Sequence, residues 1–164
     1  MSVLFTAAEI VTMAIEAEKN GLAFYQAMAT KTKDDNVRNI FAFLAEEEAE
    51  HKDSFQALFD DLSVVDMSHT DEAEYHNYLN ALASTRIFKP DVNMDELVQN
   101  ITTDIEAVDI AISTEKESIL FYYELREQVQ NEGRGNINEV IKEEKTHLAR
   151  LVALREALVK QHQR

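Results

Sequence analysis

The chain has no cysteine and little proline or glycine, and each shortage excludes a class of structure. Without cysteine, its 164 residues cannot form disulfides, iron–sulfur clusters or thiolate zinc sites. One proline and three glycines leave few points at which a helix must end, so long helices are favoured over many short strands. No apolar run has membrane-spanning length, and no basic and apolar leader opens the chain, so we expect a cytoplasmic protein with no membrane partner.

Positive charge is also scarce. The 31 acidic residues outnumber the 16 basic ones and give a formal net charge of −15. Such a surface repels phosphate backbones, so we expect no nucleic-acid partner. Most acidic residues are expected on solvated helix faces, but a few interrupt apolar stripes and need another explanation.

Apolar residues recur with helical periodicity in four long segments. The predicted helices cover about residues 6–30, 35–62, 95–131 and 136–161, with a candidate break in the third at 100–104. The first opens with a capping box, Thr6 and Glu9. The fourth follows a glycine-containing link, Gly133–Gly135, and its predicted cap is Asn136 with Glu139 three residues later.

Short links join the first helix to the second and the third to the fourth, which makes antiparallel neighbours. The long crossover between these hairpins, residues 63–94, is expected to contain a short helix at about 71–84. We therefore predict an all-α fold, a four-helix bundle in a single domain of residues 1–164, built from two antiparallel hairpins joined by a long crossover.

The crossover also carries aromatic residues, which we expect to cover the bundle or to form a dimer contact: Tyr75, Tyr78 and Phe88. Three histidines lack a glutamate three residues before them and are expected at the surface: His69, His76 and His162.

Six ionisable residues interrupt the apolar stripes near the middle of the four long helices. They are Glu18 and Glu115 on the first and third helices, and the Glu-x-x-His pairs Glu48 with His51 and Glu144 with His147 on the second and fourth. The three-residue spacing puts both members of each pair on one helical face. Burying four carboxylates together is costly unless a cation lies between them. Four glutamates and two neutral histidines balance two divalent cations, and this is the ligand set of di-iron helical bundles.

An internal repeat strengthens this interpretation. Residues 14–25 and 111–122 are identical at six of twelve positions. The motif Glu-Glu-x-x-His also occurs twice, at 47–51 and 143–147. The two halves are offset by 97 residues at the first motif and 96 at the second, so each half is a hairpin with one glutamate and one Glu-x-x-His.

Together these motifs resemble the rubrerythrin-type branch of the ferritin-like superfamily over nearly the whole chain, in its stand-alone form without a rubredoxin domain. In that family a tyrosine follows the glutamate by seven residues, as Tyr25 and Tyr122 do here. The resemblance implies that these two tyrosines hydrogen-bond to ligand carboxylates. The alternative is that they are core aromatics whose hydroxyls need any partner.

The same resemblance implies a role for each metal ligand. Glu48 and Glu144 would bridge the two ions, Glu18 and Glu115 would be terminal ligands, and His51 and His147 would each bind one ion. At position 118 this chain has serine where rubrerythrins carry an additional glutamate that takes part in ligand exchange, which puts that exchange in doubt. This serine and the lack of cysteine make the site more like the symmetric centre of bacterioferritin.

The expected cofactor is a pair of iron ions, although manganese or zinc also suits these ligands. The expected reaction is reduction of hydrogen peroxide or dioxygen, with electrons from a separate donor such as a rubredoxin-like protein. One alternative is ferroxidation for iron storage or buffering. Another is a helical interaction module with a vestigial metal site. A homodimer is expected, as is common for bundles of this size.

Overall fold

The computed structural model describes residues 6–61, 73–89, 91–129 and 131–164. In this part of the chain the structure is all α-helical, with six helices: α1 Ala7–Lys31, α2 Asp35–Asp60, α3 Ala73–Ser84, α4 Met94–Asn100, α5 Asp104–Glu127 and α6 Asn131–His162. Among the helices so described, none combines the length and the hydropathy needed to cross a bilayer.

The four long helices form the predicted bundle. Helix α1 packs along α2 and α5 packs along α6, and contacts between α1 and α5 and between α2 and α6 bring the two hairpins together. Helices α3 and α4 belong to the crossover, in which α3 packs on α5 and α4 packs on α1. The four long helices therefore lie together as two packed hairpins.

Side-chain caps fix where the helices of the first hairpin begin. The hydroxyl of Thr6 accepts a hydrogen bond from the backbone N–H of Glu9, and the Glu9 carboxylate accepts one from the Thr6 N–H, which is the predicted capping box. After a link of three residues, the Asp34 carboxylate accepts hydrogen bonds from the N–H groups of Asn36 and Val37 and starts α2. So short a link keeps α1 and α2 antiparallel.

The third predicted helix is two helices, α4 and α5, separated at the candidate break. The hydroxyl of Thr103 accepts a hydrogen bond from the N–H of Glu106 and caps the start of α5. At the end of α4, the Nζ of Lys31 donates to the carbonyls of Val98 and Ile101, each at 2.5 Å. Side chains therefore bind backbone groups that the end of α4 and the start of α5 would otherwise leave unpaired, which stabilises the break.

The predicted start of the fourth helix is wrong. Helix α6 begins at Asn131, so Gly133 and Gly135 lie inside it and Asn136 is not its cap. Among the described residues no glycine has a positive φ, so the glycines adopt helical rather than turn geometry. The preceding helix ends at Glu127 instead of 131.

Two apolar clusters lie on either side of a polar middle layer. The first includes Phe24, Tyr25, Phe41, Leu44, Val108 and Leu151, and the second includes Ile10, Val11, Phe55, Tyr122, Leu125 and Ile141. Six residues of the predicted apolar stripes are only half-buried: Leu22, Ala29, Ile105, Ile112, Ile119 and Leu148. On α5 this is because the inward stripe runs through Val108, Glu115 and Tyr122.

The crossover covers part of the bundle, and one histidine prediction is wrong. Phe88 is buried, with its ring centroid 5.2 Å from that of Phe24. His76 is only 3% exposed instead of lying at the surface, because it shares the inward face of α3 with Leu79 three residues later. His162 is exposed as predicted. His69 lies outside the described residues.

The remaining two aromatic residues of the crossover differ in exposure. Tyr75 is half-buried, and its hydroxyl accepts a hydrogen bond of 3.0 Å from the side-chain amide of Gln128. Tyr78 is 39% exposed. The dimer contact proposed for these residues stays a prediction.

Candidate metal centre

The six predicted ligands converge in the polar layer between the two apolar clusters. Each is almost completely buried, with 1–5% of its surface exposed: Glu18 on α1, Glu48 and His51 on α2, Glu115 on α5, and Glu144 and His147 on α6. Charged side chains are seldom buried this deeply unless they are paired or bind a metal.

The ligand atoms form two overlapping groups. One consists of Glu18, Glu48, His51 and Glu144, and the other of Glu48, Glu115, Glu144 and His147, and within each group the atoms lie within 4.8 Å of one another. Glu48 and Glu144 belong to both groups. Each hairpin thus supplies one glutamate and one histidine of its own, together with one glutamate that both groups share.

Unpaired ligand atoms show that the residues fit a cation. Three buried atoms of the site have no hydrogen-bond partner: Oε2 of Glu18, Nδ1 of His51 and Oε1 of Glu144. The Nδ1 atom lies 3.2 Å from the Glu144 oxygen and 3.5 Å from the Glu18 oxygen. Buried polar atoms are normally satisfied, so three orphans facing one another fit a shared cation that they coordinate. Oxygen and imidazole ligands suit Fe(II), Mn(II) or Zn(II).

Burial and mutual repulsion disfavour ionisation of the carboxylates. Burial raises the pKa of Glu48 well above its usual range, and the charges of Glu18 and Glu144 raise it further. The pKa of Glu115 is likewise raised well above its usual range by burial and by Glu144. Burial, followed by the charge of Glu18, also raises the pKa of Glu144. Positive charge placed among these groups would reverse this effect, because it favours the ionised form.

The two histidines stack but differ in electrostatics. Their ring centroids lie 5.6 Å apart with an interplanar angle of 23°. Burial lowers the pKa of His51, but the neighbouring carboxylates of Glu144 and Glu18 outweigh it and raise the pKa to about 12. Burial also lowers the pKa of His147, and there the opposing charge of Glu115 does not overcome it.

The two tyrosines connect the hairpins through the ligand carboxylates. The hydroxyl of Tyr25 on α1 donates to Glu115 on α5, and the hydroxyl of Tyr122 on α5 donates to Glu18 on α1. Burial and the nearby carboxylates raise the pKa of both phenols well above their usual range, so both stay protonated donors. Each hydrogen bond orients one oxygen of Glu115 or Glu18 and leaves the other oxygen of that carboxylate available to a metal.

Two further carboxylates at the rim of the site were not predicted. Oε2 of Glu143 lies 2.8 Å from Nε2 of His51, and Oε2 of Glu47 lies 3.7 Å from Nε2 of His147. Both carboxylates reach solvent, with side chains 50% and 24% exposed. A carboxylate on the outer nitrogen directs the other nitrogen of a histidine towards a metal. Their sequence signal was the glutamate that precedes the ligand in both copies of Glu-Glu-x-x-His.

The fold and the site together define a helical-bundle protein whose buried carboxylates and histidines can hold a metal. Residues 9–155 match the rubrerythrin family, and the chain belongs to that family. The comparison with curated proteins found no match.

Two solved structures share the fold over nearly their whole length. A crystal structure of a candidate ferritin-like diiron-carboxylate protein from Thermotoga maritima has a TM-score of 0.70 and 27% identity, covering 93% of this chain and 95% of the other. A hypothetical protein from Pyrococcus furiosus has a TM-score of 0.68 and 24% identity, covering 96% of this chain and 92% of the other. The second likeness concerns the fold alone.

Proposed function

We propose that the chain holds two iron ions at this centre and reduces hydrogen peroxide, or dioxygen, with electrons from a separate redox protein. The observation that carries the proposal is the pair of overlapping ligand groups that share Glu48 and Glu144. Two ions held by these shared carboxylates would be close enough to act on one oxidant molecule. A ferrous pair would supply two electrons, the number that reduces hydrogen peroxide to two water molecules or dioxygen to hydrogen peroxide.

The side chains around the site have three tasks in this proposal. Glu143 accepts a hydrogen bond from Nε2–H of His51, which would direct Nδ1 of the ring towards an ion that displaces its proton. Tyr25 and Tyr122 each fix one oxygen of a terminal glutamate. The apolar clusters on both sides exclude water, which strengthens the electrostatic attraction between carboxylates and metal ions.

Iron rather than zinc is proposed because the similar structure from Thermotoga maritima, 27% identical, is described as a diiron-carboxylate protein. The electron donor is proposed as a separate protein, rubredoxin-like in function, because the chain has no cysteine to hold an iron–sulfur group of its own. Two electrons must return to the centre after each turnover, together with the two protons that the formation of two water molecules requires.

Ferroxidation for iron storage or buffering is the second candidate function. The observation that favours it is Ser118, which replaces the additional family glutamate and leaves the ligand set symmetric between the two hairpins. The two candidates differ in what happens after oxidation, because a peroxidase is re-reduced and turns over, whereas a storage protein passes iron on.

The test is to load metal-free protein with Fe(II) anaerobically, mix it with hydrogen peroxide in a stopped-flow instrument and follow the near-ultraviolet absorbance of ferric iron. The proposal expects rapid oxidation of two irons per chain, loss of this reaction in Glu48→Ala, and no loss in the control Glu50→Ala, which removes an exposed carboxylate from the same helix. Repeated turnover with a chemical reductant supports the peroxidase. Oxidation no faster than that of free iron would exclude both iron-based candidates.

A further inference from the structure

A glycine lies in the middle of α1, next to the proposed metal centre. Gly21 is buried and follows the ligand Glu18 by three residues, one turn along the helix. Glycine in a helix interior lowers stability relative to alanine, because it loses more backbone freedom on folding. Glycine occurs only three times in the chain, so its presence here suggests that a neighbouring group leaves no room for a side chain at this position.

That neighbour is the carboxylate of Glu48. A Cβ built on Gly21 would lie 3.1 Å from Cδ of Glu48 and 3.6 Å from its Cγ, and it would come closer still to Oε2. Glu48 therefore packs directly on the bare backbone of α1. It is also one of the two carboxylates that belong to both ligand groups, so its lateral position determines whether it can reach two ions.

The corresponding residue of the second hairpin differs. Ser118 occupies the position equivalent to Gly21 in the internal repeat, three residues after Glu115. It lines a small cavity of about 10 Å³ with Arg86, Thr114 and Tyr122 among its other walls. The second half thus accommodates a side chain at this position, whereas in the first half the Glu48 carboxylate fills the space.

We propose that Gly21 is a positioning residue, which leaves room for the Glu48 carboxylate to lie against α1 and so be shared by two metal ions. This inference rests on the proposed two-metal centre and adds a residue that binds no metal itself. The atom that an alanine methyl would meet is the end of a flexible side chain. Gly21→Ala should therefore displace the carboxylate and leave the helix packing intact.

The first experiment titrates metal-free wild type, Gly21→Ala and Gly135→Ala with Zn(II) alone and follows binding by calorimetry. Gly135 is a matched control, because it is also a helical glycine but has no atom within 4 Å of a built Cβ. We expect two ions in the wild type and in Gly135→Ala. We expect binding at least about tenfold weaker in Gly21→Ala, the smaller end of what loss of an outer positioning partner costs.

Urea unfolding of the three metal-free proteins separates positioning from folding. Both alanine variants should be at least as stable as the wild type, since alanine favours helix. Instability of metal-free Gly21→Ala would overturn the inference, because the methyl group would then clash with the fold and not with a movable carboxylate. Wild-type zinc affinity in a folded Gly21→Ala would overturn it equally.

A double-mutant cycle tests whether Gly21 acts through Glu48. In a Glu48→Ala background, Gly21→Ala should change zinc affinity less than twofold, because the carboxylate that the glycine accommodates is gone. A full further loss would contradict the inference. Zinc is redox-silent, so these titrations can succeed while iron-dependent peroxide reduction fails. A wild type that binds fewer than two ions overturns both proposals.

Discussion

The two hairpins carry the same candidate ligands, but the surroundings of these ligands differ. His51 has an outer carboxylate 2.8 Å away, from Glu143, whereas the equivalent distance from His147 to Glu47 is 3.7 Å and exceeds a hydrogen bond. The pKa of His51 is raised and that of His147 is lowered. The internal repeat thus determines which residues meet, but the residues around them give the two histidines different hydrogen bonding and opposite pKa shifts. We expect the ion beside His51 to bind more tightly.

Removal of a residue that belongs to both ligand groups should weaken metal binding in both halves. Glu144→Gln keeps the shape of the side chain but removes one charge from both ligand groups. Zinc affinity for both ions should fall by more than about 100-fold, because loss of an outer partner alone already costs about 10–100-fold. Calorimetric titration measures this, with Glu50→Gln as the exposed control on α2. Retention of one tight ion would show that Glu144 is not shared.

The metal-free protein should lose stability as pH rises. The folded-state pKa values of Glu48, Glu115 and Glu144 are raised above 4.5, so their stabilising contribution is complete below pH 4.5 and is lost as pH rises through the folded pKa values. His51 adds a loss between pH 6.5 and about 12, whereas the lowered pKa of His147 adds a gain as pH rises towards 6.5.

Urea unfolding at pH 5, 7 and 9 checks this dependence. Zinc-loaded protein should show a much weaker decline, since bound cations favour the ionised carboxylates. Glu144→Gln should also decline less steeply than wild type. If the stability of the metal-free protein rose from pH 5 to pH 9, the buried carboxylates would not be repelling one another as the structure indicates.

The tyrosine hydrogen bonds are the part of the site that the two halves share most closely. Tyr25→Phe and Tyr122→Phe each leave a buried carboxylate without its donor, which should cost about 1–3 kcal/mol of stability in the zinc-loaded protein. Similar losses in both would show that this feature is symmetric. Thermal unfolding measures them, and Tyr78→Phe, at a residue 39% exposed, is the control expected to change little. A loss of stability in only one of the two variants would show that the tyrosine hydrogen bonds also differ between the hairpins.

The outer carboxylates should reveal the smallest and most specific difference. Glu143→Gln should weaken binding of the ion beside His51 by about tenfold. Glu47→Gln should have a smaller effect on the other ion, because its oxygen lies 3.7 Å from the ring nitrogen. Nitrogen-15 NMR of the zinc-loaded protein follows the outer ring nitrogens directly. Equal effects of the two substitutions would mean that the metal-loaded site regains the symmetry of the repeat.

The convergence of the six candidate ligands was predictable because helical geometry alone places these side chains. Glutamate and histidine three residues apart share a helix face, and a carboxylate within an apolar stripe must point inward, so the sequence specified all six buried side chains. The capping box at Thr6 was predictable for the same reason, since both of its hydrogen bonds are local.

The errors arose where distant contacts decide the structure. Gly133 and Gly135 are typical of a link, but both lie inside α6 without a positive φ. Lys31 helps to end α4 from 67 residues away, and no local pattern shows this contact. His76 is buried because α3 docks on the bundle, which depends on the path of the crossover.

The crossed tyrosine bonds also bear on how such a chain could arise. Each hairpin provides the hydroxyl that holds the other hairpin's Glu18 or Glu115, and one hairpin by itself supplies only three of the four members of one ligand group and one of the other. An ancestor with a single hairpin could have completed the centre only by pairing with a second copy about a two-fold axis. Gene duplication and fusion would then have freed each half to change separately, and the inequality between them is what such freedom produces.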